Sequence, residues 1–377
     1  MTMTRRVALV CPAASGADGD RWLLDVAQGL LARGHKIKVI GPEESPFLGA
    51  AARSGLPVAF VPFPGTSRAL DPRIVIPLWQ TLRAWRAQVA IVDHEHPLHP
   101  LVAARFLLGL RTVAALAPSL PLPVGASPPR PGRRIHHLVV HSPEVLGALL
   151  AHHGTGLDMK RTCVIPRAVD TAATGTIDRK SARRGLRRDL GLTETQPIVA
   201  IAGDSLSSTE RPAIVVEALA RLGAAAPKPV WLGEPGLPPN PNPNPTRVLT
   251  GADLLVIASP NHPLPTLPLQ AMALEVPVVA VAAGEYRSLL GGQELAGGEP
   301  ARGLLFPPGD APALAEAIGG VLGNPELTRH RAAVARTHVM LHHELRQVIG
   351  VWEELLGAGH LVSGGNRGNN RASSRAP

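Results

Sequence analysis

Short apolar runs alternate with segments of helical period along this chain, then do so again, and few folds accept that order. Val7–Cys11, Lys36–Ile40, Val58–Val61, Val89–Val92, Thr112–Leu116 and Leu138–His141 read as strands. Residues 21–33 set Leu23, Leu24, Ala27, Leu30 and Leu31 on one helical face, with Gly34 as the stop. Helical segments at 72–86, 98–108 and 143–152 lie between some of the strands. Ser142 suits the cap of the last of these, and Pro143 suits its first helical position. The pattern restarts with a strand at Pro197–Ala202 and a helix at 212–222. Further strands are predicted at Val230–Leu232, Leu254–Ala258, Pro277–Ala282 and Gly303–Phe306. Asp310 caps a predicted helix at 311–322, Asn324-Pro325-Glu326 opens another, and a last helix is expected at about 340–356. Alternating strands and helices imply parallel sheets covered on both faces. Two α/β halves are therefore expected, joined around 168–195.

The 377 residues allow two domains with sizeable cores. A hydrophobic share of 45% excludes a wholly disordered chain. The longest apolar runs, such as Val276–Ala283, are strand-sized and far from the roughly 18–20 residues of a membrane span. Cys11 and Cys163 make no disulfide framework and fit a reducing compartment. Arg5-Arg6 before VALVCPAASGA imitates a signal peptide. The run is short, and a Gly/Asp turn and an amphipathic helix follow it, so it reads as the opening of an α/β domain. A cytoplasmic protein is expected, peripheral at most to the inner face of a membrane.

The net charge of +9 favours anionic partners. Aromatic residues make up only 3% of the chain, which argues against specific nucleic-acid binding through stacking. Part of the charge sits on Arg367, Arg371 and Arg375 in a Gly/Asn/Ser/Arg tail, 357–377, expected to be disordered. The block RKSARRGLRRDLG is more specific. On a helix, Arg179, Arg183 and Arg187 form one stripe and Lys180, Arg184 and Arg188 the next. It reads either as a solvated helix face or as a contact with an anionic membrane through 179–188. The adjacent histidines His136-His137, His152-His153 and His342-His343 read as surface residues. The stretch 233–251, GEPGLPPNPNPNPTRVLTG, reads as a stiff extended loop rather than a helix.

In the second half, ADLLVIASP, LQAMALEVPVVAVAAG and RGLLFPPGDAPALAEAI occur in an order that resembles the donor-binding half of family 4 glycosyltransferases. VALVCPAASGADGDRWLLDVAQGLLARGHKIKVIGP resembles the opening of that family's acceptor half, and CVIPRAVD resembles its segment before the interdomain hinge. The likeness covers roughly residues 5–356. It implies a GT-B fold, two doubly wound Rossmann-like domains facing across a cleft. The expected division is 1–175 for the acceptor side and 176–340 for the donor side, with a helix at 341–356 returning to the first domain. It also implies sugar transfer from a nucleotide diphosphate donor to a glycan or lipid-linked acceptor, with retention and without an essential metal or other cofactor.

The same resemblance assigns a donor site and exposes its substitutions. Gly16 and Gly19 permit close backbone approach to the phosphates. Gln270 falls at the family's second glutamate, and His262, separated from it by seven residues, at the first. Gln270 keeps an acceptor oxygen for a ribose hydroxyl. His262 is a hydrogen-bond partner but no substitute for a carboxylate. The family's glycine–arginine step reads Gly203-Asp204 here, and Asp204 would repel a diphosphate. Arg211, near the lysine position, is the remaining cation for a leaving group that gathers negative charge. On the acceptor side, Asp93, His94, Glu95 and His96 follow a strand, where ligands of such sheets bind. They read either as an acceptor-binding or acid/base cluster, with His96 a catalytic candidate beside His262, or as a solvated strand end. His94, His96 and His99 match no specific metal-binding spacing. Two functions follow: a working glycosyltransferase with an unusual donor site, or a GT-B pseudoenzyme that binds or scaffolds a partner.

Overall fold

The computed structural model describes residues 4–11, 21–63, 71–92, 111–115, 136–153, 159–202, 210–232, 245–259, 266–291 and 301–357. The predicted helix at 98–108 and the tail beyond 357 lie outside them. Seven strands form the first sheet: β1 (Arg6–Val10), β2 (Lys36–Gly41), β3 (Val58–Phe60), β4 (Val89–Val92), β5 (Arg111–Ala115), β6 (His137–Val140) and β7 (Thr162–Val164). Their order is β3-β2-β1-β4-β5-β6-β7, and every pair is parallel. Helices α1 (Arg21–Ala32), α2 (Pro46–Arg53), α3 (Pro72–Trp85) and α4 (Pro143–His153) accompany it. Successive side chains of a strand face opposite ways, and the two faces have separate cores. Val7, Leu9, Val39 and Ile91 pack on one face with α1 and α2. Ala8, Val10, Ala90, Val92 and Val140 pack on the other with α3 and α4.

The second sheet contains β8 (Ile198–Ala202), β9 (Lys228–Leu232), β10 (Leu254–Ile257), β11 (Val278–Val281) and β12 (Leu304–Phe306) in the order β12-β11-β10-β8-β9, again parallel throughout. Around it lie α5 (Thr171–Gly175), α6 (Arg179–Asp189), α7 (Glu210–Leu222), α8 (Pro245–Gly251), α9 (Leu267–Ala273), α10 (Tyr286–Leu290), α11 (Ala311–Gly323) and α12 (Pro325–His342). Asp310 and Asn324 cap α11 and α12, accepting the Ala313 and Leu327 N–H groups.

Two expectations are corrected here. The Pro/Asn stretch does not stay extended to its end, because Pro245–Gly251 is helical. Pro245 takes the first helical position, where its missing N–H costs nothing, and Val248 and Leu249 are fully buried. Gly251 lets the helix approach α6, since a Cβ there would stand 2.6 Å from Leu186. The basic helix α6 is not a uniformly solvated face either. Arg179 donates to the carbonyls of Ala252 (2.9 Å) and Glu275 (3.1 Å). Arg183 and the buried Arg187 both pair with Asp253, which also accepts the Ile198 N–H at 2.9 Å. One stripe is therefore tied to the fold, although Arg183 in it is itself exposed, while Lys180, Arg184 and Arg188 are exposed on the next stripe.

The chain crosses back after α12. Helix α13 (Leu345–Gly357) lays Val348, Ile349, Trp352, Leu355 and Leu356 into the core of the first sheet. Trp352 is 1% exposed and stacks on Trp22 of α1, with ring centroids 6.4 Å apart. The outgoing and returning strands of chain touch at Val169, whose N–H donates to the His343 carbonyl (2.9 Å) and whose carbonyl accepts the Leu345 N–H (3.0 Å). Trp352→Ala should cost about 3–5 kcal/mol, as large-to-small changes of a buried aromatic do. Urea denaturation measures it, and a loss below about 1 kcal/mol would show that α13 contributes little to the first core.

Candidate functional site

Both sheets reverse direction once, and the reversal marks a crevice beyond the carboxyl ends of the strands. In the first sheet the reversal lies between β1 and β4, where Val10 stands opposite Val92. In the second it lies between β8 and β10, where Ala202 stands opposite Ile257. The sequence places its candidates just after these strand ends. Gly16 and Gly19 follow β1; Asp93, His94, Glu95 and His96 follow β4; Gly203 follows β8; His262 follows β10. All eight lie outside the described residues. Arg211 occupies the first turn of α7. Gln270 is the one residue of α9 that is not buried: Leu267, Pro268, Leu269, Ala271, Met272 and Ala273 all are. An apolar helix packed on nearly every side therefore presents a single amide.

Other polar groups gather where the two sheets meet, and the sequence reading did not single them out. His141 directly follows β6 and is buried. Its ring meets Trp22 edge-on at 4.4 Å, and Nδ1–H donates to the Ile165 carbonyl at 2.9 Å. That bond sets the tautomer, so Nε2 carries the lone pair, and Nε2 is buried without a partner. Burial, helped by the Arg167 charge, lowers the His141 pKa to about 3. Arg167 reaches across to Glu285, Nη1 to Oε2, at 2.8 Å. Next to Glu285, Tyr286 is buried, and that burial first, then the Glu285 charge, pushes its phenol well above the usual range.

The histidine pairs are not all at the surface. His137 is buried. His343 is partly buried and donates Nδ1–H to the Arg167 carbonyl at 2.8 Å, and its pKa is lowered chiefly by burial. The His338 ring packs at a tilt against His342 and His343, with centroids 4.7 and 5.5 Å away. Burial, then Arg302 and the two neighbouring rings, lower its pKa to about 3. Only His342 of this group is exposed. Among the described residues, no group of three or more His, Cys, Asp or Glu side chains could hold a metal ion. No described helix is long and apolar enough to cross a membrane.

Two facing sheets of this kind, each doubly wound, define the GT-B class of fold. Residues 19–173 match the model of Glycosyltransferase Family 4, and residues 237–338 match that of Glycosyl transferases group 1. The chain belongs to the group 1, family 4 glycosyltransferases. Among solved structures it is similar to HepE (Alr3699) of Anabaena in complex with UDP and glucose: 17% identity, 93% of this chain and 99% of that one, TM-score 0.77. It is also similar to a glycosyltransferase from Rickettsia africae, at 15% identity over 93% and 97% of the two chains, TM-score 0.73. Sucrose-phosphate synthase of Thermosynechococcus elongatus follows at 16% identity over 93% and 98%, TM-score 0.66. Comparison with curated proteins gives no match.

The buried neutral histidines make stability depend on pH. An unfolded histidine takes its proton near 6.5, whereas folded His141 and His338 take theirs near 3. Between those values the unfolded chain binds more protons, so stability is present above about 6.5 and is lost as the pH falls. Unfolding free energy should therefore drop on acidification from pH 7 to 4. A His141→Gln variant should show a shallower slope, by at most roughly 1.4 kcal/mol per pH unit for the one proton. Identical slopes in variant and parent would mean that His141 titrates normally in the fold.

Proposed function

We propose that this chain transfers a sugar from a nucleotide diphosphate donor to a glycan or lipid-linked acceptor. The observation that carries the reading is the match of the two family models to the two halves of the chain. One spans the first sheet's α1 to β7, the other the second sheet's α8 to α12. The HepE structures in complex with UDP and with UDP-glucose support a nucleotide-sugar donor for a fold of this type. The reading takes 1–175 as the acceptor-side unit and 176–340 as the donor-side unit, since β1–β7 and β8–β12 fall within those limits.

In the proposed reaction the bond between the anomeric carbon and the diphosphate oxygen breaks, and its electron pair leaves with the nucleoside diphosphate. The acceptor hydroxyl oxygen forms the new bond, and its proton passes to a base or to solvent. The leaving group gathers negative charge, which preorganised donors must meet. Gly16, Gly19 and Gly203 give room for backbone contact with phosphate, and Arg211 supplies a cation. Gln270 accepts a ribose hydroxyl hydrogen. His262 is the proposed hydrogen-bond partner of the donor sugar. Asp93, His94, Glu95 and His96 serve the acceptor, with His96 the candidate for proton transfer. Family retention and independence of metal are carried over as part of the proposal. The exposed stripe Lys180, Arg184 and Arg188 supports peripheral contact with anionic headgroups.

A second reading, a non-catalytic binding partner, is favoured by one specific observation: an amide at Gln270 and an acid at Asp204 where the family carries a carboxylate and a cation. Calorimetric titration of the full chain with UDP, GDP, ADP and their sugar conjugates separates the two. Saturable binding of one nucleotide is expected, weakened roughly tenfold by Gln270→Ala or Arg211→Ala through loss of a hydrogen bond or a charge. Absence of binding to every nucleotide by folded protein would favour the partner reading.

A further inference from the structure

Arg167 leaves the carboxyl edge of the first sheet three residues past β7, and Glu285 stands four residues past β11 at the corresponding edge of the second. Their 2.8 Å ion pair crosses between the halves. Arg167 is the more buried partner, with its side chain 12% exposed against 32% for Glu285. Its Nε is buried without a partner. A guanidinium has five N–H donors in a rigid fork, and here one is committed to a carboxylate. The mount is firm: the Arg167 carbonyl accepts His343 Nδ1–H, and Val169, two residues on, is bonded on both sides to the returning chain. His141 behind it stays neutral.

We propose that Arg167 binds the diphosphate of the nucleotide donor and supplies the charge that Gly203-Asp204 does not. This rests on the donor reading above and deepens it. The fork matches phosphate geometry bidentately, which a lysine ammonium does not. It lies beyond the strand ends, where ligands of doubly wound sheets bind. Glu285 holds the guanidinium in place and competes with the ligand for it. The rival account makes the pair a static strap between the halves. The two accounts predict opposite signs at Glu285: a strap suffers equally from loss of either end, whereas an anion site is relieved by loss of the competing carboxylate.

The test is calorimetric titration of the full chain with UDP, GDP and ADP for the parent, Arg167→Gln and Glu285→Gln, with thermal melts of each. The expected result is saturable nucleotide binding by the parent and a roughly tenfold or greater loss in Arg167→Gln. Glu285→Gln should bind equally or more tightly although its melting temperature falls. Equal weakening in both variants would overturn the proposal in favour of the strap. Parent-like affinity in Arg167→Gln would overturn it while leaving the donor reading standing. Failure of the parent to bind any of the three would overturn the donor reading and this proposal together. If Arg167→Gln does not fold, Arg167→Lys gives the same comparison, because it keeps the charge and loses the fork; affinity equal to the parent would then overturn the bidentate site.

Discussion

Two hydrogen bonds at Val169 hold the place where the chain leaves the first sheet and later comes back. The Val169 N–H and C=O are taken by His343 and Leu345, one residue on either side of Glu344. That short parallel bridge fixes where α13 begins. It thereby fixes where Trp352 enters the first core and how it stacks on Trp22. Trp22 in turn meets His141, and His141 is bonded to Ile165, two residues before Arg167. The continuity is physical: a stack of rings and hydrogen bonds runs from the returning helix to the cation that crosses to Glu285. Displacing the bridge would shift both the core and the cross-sheet ion pair.

The electrostatics of this junction follow from burial more than from pairing. His141 and His338 are held neutral chiefly because a charged imidazole would lose its hydration. The arginines at the fold's inner seams carry out structural tasks. Arg302 donates to the carbonyls of Ser288 and Leu289 at 2.6 and 2.8 Å and so closes the end of α10. Arg179, Arg183 and Arg187 fasten α6 to the amino-terminal side of the second sheet through Asp253 and nearby carbonyls. These arginines are thus engaged within the fold. Arg167 differs because its carboxylate partner belongs to the opposite half of the chain.

The architecture was legible because apolar runs and helical periods are local signals. Strands such as Val7–Cys11 and Leu254–Ala258 fall within a residue or so of β1 and β10. Helix α2 carried no expectation, being only 8 residues long. Helix α8 was misread because Pro and Asn dominate the stretch, while Val248 and Leu249 near its end decide the packing. The fastening of Arg179, Arg183 and Arg187 to the fold was invisible for a different reason: Asp253 lies 66 residues from Arg187, and only tertiary structure brings them together. The same holds for Arg167 and Glu285, which are 118 residues apart. Arg167 did stand within CVIPRAVD, and a charged residue at the end of an apolar strand was the available signal. Of the motif-based site residues, Gln270 is the one whose surroundings are described, as the partly exposed residue of an otherwise buried helix.

The central claim is that the crevice beyond the ends of β8, β10 and β11 holds a nucleotide donor. A crystal structure of the full chain grown with saturating UDP tests it most directly. The account predicts the nucleotide at those strand ends, with a diphosphate oxygen within hydrogen-bonding distance of the Arg167 guanidinium and the ribose beside Gln270. Nucleotide bound elsewhere, or strand ends without nucleotide in well-diffracting crystals at that concentration, would contradict it.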